Sequence, residues 1–136
     1  MMTKKILFIV LLASIQLIYS AAAQDSKQPV QFVFSATKLT DSSATLTVHA
    51  VAAKGTRIFT AVKKNNDDVF VSSLQLDSSA FVNGTVVEEG VAGAVALPGS
   101  TDKGTAYDSV TFTYTLGIKA GATAIKGSFN LSLIHI

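Results

Sequence analysis

The sequence predicts an all-β protein, an immunoglobulin-like antiparallel β-sandwich, and three observations carry that reading. Apolar side chains alternate with Thr and Ser in several short stretches, and Gly, Asn, Asp and Lys clusters separate those stretches. After residue 23, no apolar period of 3.6 residues lasts beyond about two turns. The clearest alternation sets Val110, Phe112, Tyr114 and Leu116 against Thr111, Thr113 and Thr115, as in a strand with one face in a core and the other in water. A turn at Lys119-Ala120-Gly121 and a second strand over residues 123–130 complete an expected hairpin in the middle of the fold.

The chain opens differently. Lys4 and Lys5 precede an unbroken apolar run over residues 6–13, extended through Ile15, Leu17 and Ile18, and Ala21-Ala22-Ala23 supplies small residues before Gln24. This is the pattern of a secretory signal peptide, drawn as a helix and cleaved after Ala23. The run is too short to span a bilayer and is interrupted by Ser14 and Gln16, so no membrane insertion of the mature chain is expected. No cysteine stands at the cleavage site for a lipoprotein anchor. Localisation in the periplasm follows if the source is a Gram-negative bacterium.

The far end carries a second foreign signature. Residues 131–136, Leu-Ser-Leu-Ile-His-Ile, are residue for residue the translation of CTG-TCT-CTT-ATA-CAC-ATC, the end sequence of a transposase-based sequencing library. The expected organisation is therefore a signal peptide over residues 1–23, a sandwich domain over residues 24–130 that is incomplete at its C-terminus, and an adapter-derived tail over residues 131–136. A sandwich missing its closing strand leaves backbone groups of residues 123–130 unpaired and uncovers Phe129, from which poor solubility is expected.

Composition narrows the chemistry. Of eleven Lys and Arg, two lie in the leader, so residues 24–130 hold nine against nine Asp and Glu, and the formal charge there is zero. The lack of a basic stripe or Arg cluster argues against nucleic acid as a partner. Zero cysteines exclude both a disulfide framework and a thiol nucleophile in the residues present. About a hundred residues suffice for one core without staples.

The mature chain then reads as strands between turn signals. Pro29 marks entry to a strand in which Phe32 and Phe34 share a face. Residues 45–51 put Leu46, Val48 and Ala50 inward and Thr45, Thr47 and His49 outward. Lys54-Gly55 closes that strand, a further strand starts at Arg57, and residues 63–68 form a solvated loop. A strand over residues 69–76 has Phe70, Leu74 and Leu76 inward, with a bulge expected near Ser72. Asn83-Gly84 between β-branched residues predicts a type I′ hairpin turn, and residues 91–97 an edge strand in an otherwise flexible region.

No catalytic, cofactor-binding or metal-ligating residues are assigned. His49 is the one histidine before the tail and its parity puts it on the solvent face, while no G-x-S-x-G elbow is present. Residues 65–68 have the composition of a calcium loop but not its order, and Gly90-Val91-Ala92-Gly93 lacks the spacing of a dinucleotide loop.

Four stretches nevertheless resemble one family. Pro29-Val30-Gln31-Phe32-Val33-Phe34, residues 45–53, Lys54-Gly55-Thr56-Arg57-Ile58-Phe59-Thr60 and Ile125-Lys126-Gly127-Ser128-Phe129-Asn130 look like the N-terminal periplasmic domain of the thiol:disulfide interchange protein DsbD in its Bacteroidetes form. Family members open with Pro-Val-x-aromatic, continue with a Lys-Gly-Trp-His-Leu-Tyr-Ser-like stretch and end with Ile-x-Gly-x-x-x-Tyr-Met-Val-Cys. Here Thr56 replaces the Trp, Arg57 the His and Phe59 the Tyr, and residues 61–68 stand in place of a Pro-rich segment. The resemblance implies an immunoglobulin-like domain that relays electrons from the membrane domain of its own chain to periplasmic thiol-disulfide proteins, as a disulfide reductase of the kind used in cytochrome c biogenesis. The family's first active cysteine would come a few residues beyond Asn130, so the fragment itself is expected to be inactive. A module for binding or adhesion at the cell envelope is the alternative, although the absence of Trp weakens a sugar platform.

Overall fold

Alternation along the chain dictates the strands. Ala44, Leu46, Val48 and Ala50 are buried with Thr45, Thr47 and His49 between them turned outward, and Val110, Phe112, Tyr114 and Leu116 are buried against Thr111, Thr113 and Thr115. The computed structural model describes residues 2–11, 16–20, 30–62, 71–97, 103–122 and 124–135. Its strands are β1 (Met2–Leu11), β2 (Gln16–Ser20), β3 (Val30–Thr40), β4 (Ser43–Ala52), β5 (Thr56–Phe59), β6 (Ser73–Leu76), β7 (Ala80–Val82), β8 (Val87–Glu89), β9 (Ala92–Ala96), β10 (Lys103–Tyr107), β11 (Ser109–Ile118) and β12 (Ala124–His135). No helix among the described residues is long and apolar enough to cross a membrane.

Two antiparallel sheets pack face to face, the β-sandwich that the sequence predicts. One runs β1-β12-β5-β10-β9 with β6 also on β12, and the other β2-β3-β4-β11-β7 with β8 also on β11. Between them lie Phe34, Leu46, Phe112 and Leu116 from one sheet and Ile58, Ile125, Phe129, Leu131 and Leu133 from the other, all fully buried. The rings of Phe112 and Phe129 sit 5.3 Å apart across the layers, and Tyr114 meets Phe129 edge-on at 6.2 Å.

The expected hairpin over residues 108–130 is corrected by this arrangement. The turn forms, with Ala122 N donating to Lys119 O at 3.0 Å and Gly121 at a φ of 84°, but β11 and β12 enter different sheets. Both edges of β11 are taken, by β4 and by β7 with β8, and both edges of β12 by β1 and by β5 with β6. Side chains rather than backbones therefore meet across that turn.

Asn83-Gly84 is likewise no hairpin turn. β7 and β8 do not pair with each other; they follow one another along the same edge of β11, from Val82↔Leu116 to Val87↔Thr113. Residues 83–86 span what only Tyr114 and Thr115 span on β11, a bulge with two extra residues. A type I′ turn requires positive φ at both central positions, and here Gly84 alone of the pair has it, at 84°. The edge strand expected over residues 91–97 is β9, whereas β10 was legible only as loop because Gly104 and Thr105 dilute its apolar signal.

Both ends differ from expectation. Residues 2–11 and 16–20, expected in a leader helix, are strands, with β1 on β12 from Met2↔Leu133 to Leu11↔Ala124 and β2 on β3. A continuous apolar run carries no period, so it satisfies either structure. The cleavage region, residues 21–29, lies outside the described residues, as do residues 63–70 and with them the expected loop and Phe70. Leu131 to His135 continue β12 and bury Leu131, Leu133 and Ile134, and in the uncut chain β1 covers the edge that is expected to be bare once the leader is removed.

Close packing at two glycines gives a test. A Cβ at Gly90 would lie 2.5 Å from the Ser109 carbonyl oxygen and 3.0 Å from the buried Tyr107 ring, neither of which can yield. A Cβ at Gly117 would strike the Phe81 ring, which is 60% exposed and free to rotate away. Gly90→Ala is expected to lower stability by about 1–3 kcal/mol and Gly117→Ala by less than about 1 kcal/mol in urea unfolding.

Candidate functional site

The densest polar cluster forms where the two sheets meet beside the end of β5. Thr60, fully buried, donates its N–H to Thr105 O at 3.0 Å and accepts from Ser72 N at 2.8 Å. Its hydroxyl lies 2.6 Å from Glu88 Oε1 and 2.8 Å from Val62 O, and the single proton favours the charged acceptor. Ala61 N donates to Glu88 Oε2 at 2.7 Å, and Tyr107 OH reaches Oε1 at 3.3 Å. Glu88 belongs to β8 in one sheet and its partners follow β5 in the other, so its carboxylate ties the layers. Sequence reasoning missed it: residues 60 and 88 share no spacing rule.

Beneath this cluster a groove of about 360 Å³ is lined by residues that include Ala61, Val71, Leu74, Val86 and Tyr114. Burial, and secondly the negative charge of Glu88, push the Tyr114 phenol well above the usual tyrosine range and keep it neutral. Ser72 donates its hydroxyl to Phe59 O at 2.9 Å and accepts from Ser132 N at 3.2 Å, joining β12 to the same cluster.

A second feature lies where β5 meets the end of β12. Leu133 pairs with Ile58, Ile134 with Arg57 and His135 with Thr56, whose Oγ1 is 3.2 Å from His135 Nδ1. Ile134 packs with Phe59, Val95, Leu97 and Ala106 in a small core separate from the main one. Arg57 Nε lies 3.2 Å from Asp108 Oδ1 without hydrogen-bond geometry, so the contact is ionic; with Asp108 80% exposed it is worth at most about 1 kcal/mol.

His49 is on the outer face as its parity predicts, with Nδ1 2.7 Å from Thr111 Oγ1. Among the described residues no three His, Cys, Asp or Glu side chains converge on a metal position, and residues 65–68 lie outside those residues. The chain contains no cysteine. Comparison with protein-family models, with curated proteins and with solved structures finds no match.

Two outcomes follow from the cluster. Glu88→Ala leaves the Ala61 N–H without its acceptor and the Thr60 hydroxyl with only Val62 O, and is expected to lower the urea midpoint by the equivalent of about 1–3 kcal/mol, with the slope unchanged. Tyr114 holds its proton in the folded state after the unfolded chain has released its own, so the stability tied to it is full below the ordinary tyrosine value of 10.0 and is lost above it. Melting temperature should therefore fall more steeply between about pH 9 and about pH 11 in the native sequence than in Tyr114→Phe.

Proposed function

We propose that this chain is the N-terminal periplasmic part of a thiol:disulfide interchange protein, a sandwich whose redox cysteines belong beyond Asn130. The observation that supports this is spatial. The stretches that carry the resemblance at residues 54–60 and 125–130 are far apart in sequence, yet they belong to β5 and β12 of one sheet, strands that pair with each other through residues 56–58 and 133–135. Residues 30–34 and 45–52 are likewise neighbours, on β3 and β4.

The family pattern also gives a position. Counting Ile-x-Gly-x-x-x-Tyr-Met-Val-Cys from Ile125 and Gly127 places the first cysteine at 134, where this chain has Ile134. That position is opposite Arg57, which stands where the family has His. A cysteine there would sit on a strand, against the small apolar core formed by Phe59, Val95 and Leu97, and opposite Arg57, whose positive charge would favour the thiolate.

The chemistry is thiol-disulfide exchange. A thiolate sulfur attacks one sulfur of the partner's disulfide, the S–S bond breaks and the other partner sulfur leaves as thiolate. The second cysteine of the pair then attacks the mixed disulfide, releasing the partner as a dithiol and closing the pair's own disulfide. Two electrons pass to the partner, and the membrane domain of the same protein restores them. With no sulfur beyond its methionines, the chain of 136 residues can perform none of these steps.

The source gene read past the codon for Asn130 is expected to encode a cysteine at position 134 and a second one soon after. The chain rebuilt with that continuation and pre-reduced should convert a disulfide-bonded periplasmic protein to its dithiol, one disulfide per oxidised pair, while the chain of 136 residues leaves it untouched. A continuation without cysteines would end this reading.

A further inference from the structure

β12 is an interior strand only because β1 lies on its outer edge. The ladder runs without interruption from Met2↔Leu133 to Leu11↔Ala124, so the backbone groups on that side of β12 are all directed at the first residues of the chain. Ile6, opposite Phe129, is 4% exposed and completes the core. Leu7 and Ile9 point the other way and are 72% and 51% exposed. The slot itself thus requires an apolar side chain at the Ile6 place and leaves the Leu7 and Ile9 places open to solvent, where polar side chains fit as well as the apolar ones of β1.

The cover is also detachable. β1 continues into β2, which lies on the edge of β3 in the opposite sheet, and both are joined to the rest of the sandwich through residues 21–29. Those residues include Ala23, after which the sequence predicts cleavage. One cut there severs the covalent link of both strands to the rest of the sandwich, and their departure would expose the β12 ladder beside four inward side chains, Ile125, Phe129, Leu131 and Leu133, that are fully buried while the strand is covered. A bare ladder in the middle of a core is an unstable edge and a template for another strand.

We propose that the outer edge of β12 is a strand-accepting site. Met2–Leu11 fills it in the uncut chain, and after cleavage it takes an extended segment of a partner polypeptide, antiparallel to β12, apolar at the Ile6 place and polar at the Leu7 and Ile9 places. Main-chain hydrogen bonds supply the affinity and the Ile6 position the selectivity. The site rests on removal of the leader and not on the sulfur chemistry proposed above, since it needs no cysteine.

The test uses the whole chain. A protease recognition sequence placed within residues 21–29 allows the folded protein to be cut, after which a labelled peptide of the Met2–Leu11 sequence with Leu7→Lys and Ile9→Lys is added. The expected result is displacement of β1 and β2, peptide binding at one equivalent and protection of the amides of residues 124–133 from hydrogen exchange. A control peptide that also carries Ile6→Asp should bind about ten-fold or more weakly, because it buries an unpaired charge. Equal binding of both peptides, no binding by cut protein that has lost β1 and β2, or pairing of β12 with a second copy in place of the peptide would overturn the proposal. Exchange at β4 and β11 reports whether the sandwich survives loss of β1 and β2. If it does not, recovery of that protection on adding the first peptide supports the proposal and its absence overturns it.

Discussion

The structure depends on β12 being paired along both edges while its inner face fills the core. On one side it meets β1 for ten residues and on the other β6 and then β5, so the strand anchors one sheet at its centre. Its inward residues Ile125, Phe129, Leu131 and Leu133 supply much of that sheet's contribution to the core, and Phe129 meets both Phe112 and Tyr114 from the other layer. A sheet strand loses its hydrogen bonds and its packing together when an edge is stripped, which is why the first ten residues have consequences far beyond their own length.

The layers are joined by polar as well as apolar contacts. Glu88 reaches from β8 to Thr60 and Ala61, and Ser72 links β5 to β12, so hydrogen bonds tie the sheets together beside the apolar groove. The neutral Tyr114 phenol belongs to the same region: a carboxylate and a phenol enclosed side by side are compatible only while one of them stays uncharged.

The proposed function draws on where the fold brings distant residues. Position 134 lies on a strand held by β5 rather than on a loop, next to Arg57 and above Phe59. Placing a redox sulfur on such an element fixes its direction of approach to a partner, and a nearby cation favours the attacking thiolate. Strand addition at the far edge of β12 would use backbone rather than sulfur, so one strand would present two unlike surfaces to other polypeptides.

By itself the sequence determined the strands and their faces. Period-2 alternation in residues 45–51 and 110–116 gave both the all-β class and the buried set Leu46, Val48, Phe112 and Leu116, because a pleated strand must send successive side chains to opposite sides. It also located His49 on the outer face and the edge strand near residues 91–97. Only the tertiary structure decided which strands pair. Asn83-Gly84 has the local chemistry of a hairpin, but pairing β7 and β8 successively with β11 buries more backbone than pairing them with each other, and the turn becomes a bulge. The turn at Gly121 crosses between sheets because the edges of β11 and β12 are already occupied, and Glu88 finds Thr60 only once the layers close. The apolar run near the N-terminus shows the same limit: without a period it specifies no structure, and the vacant edge of β12 makes it a strand.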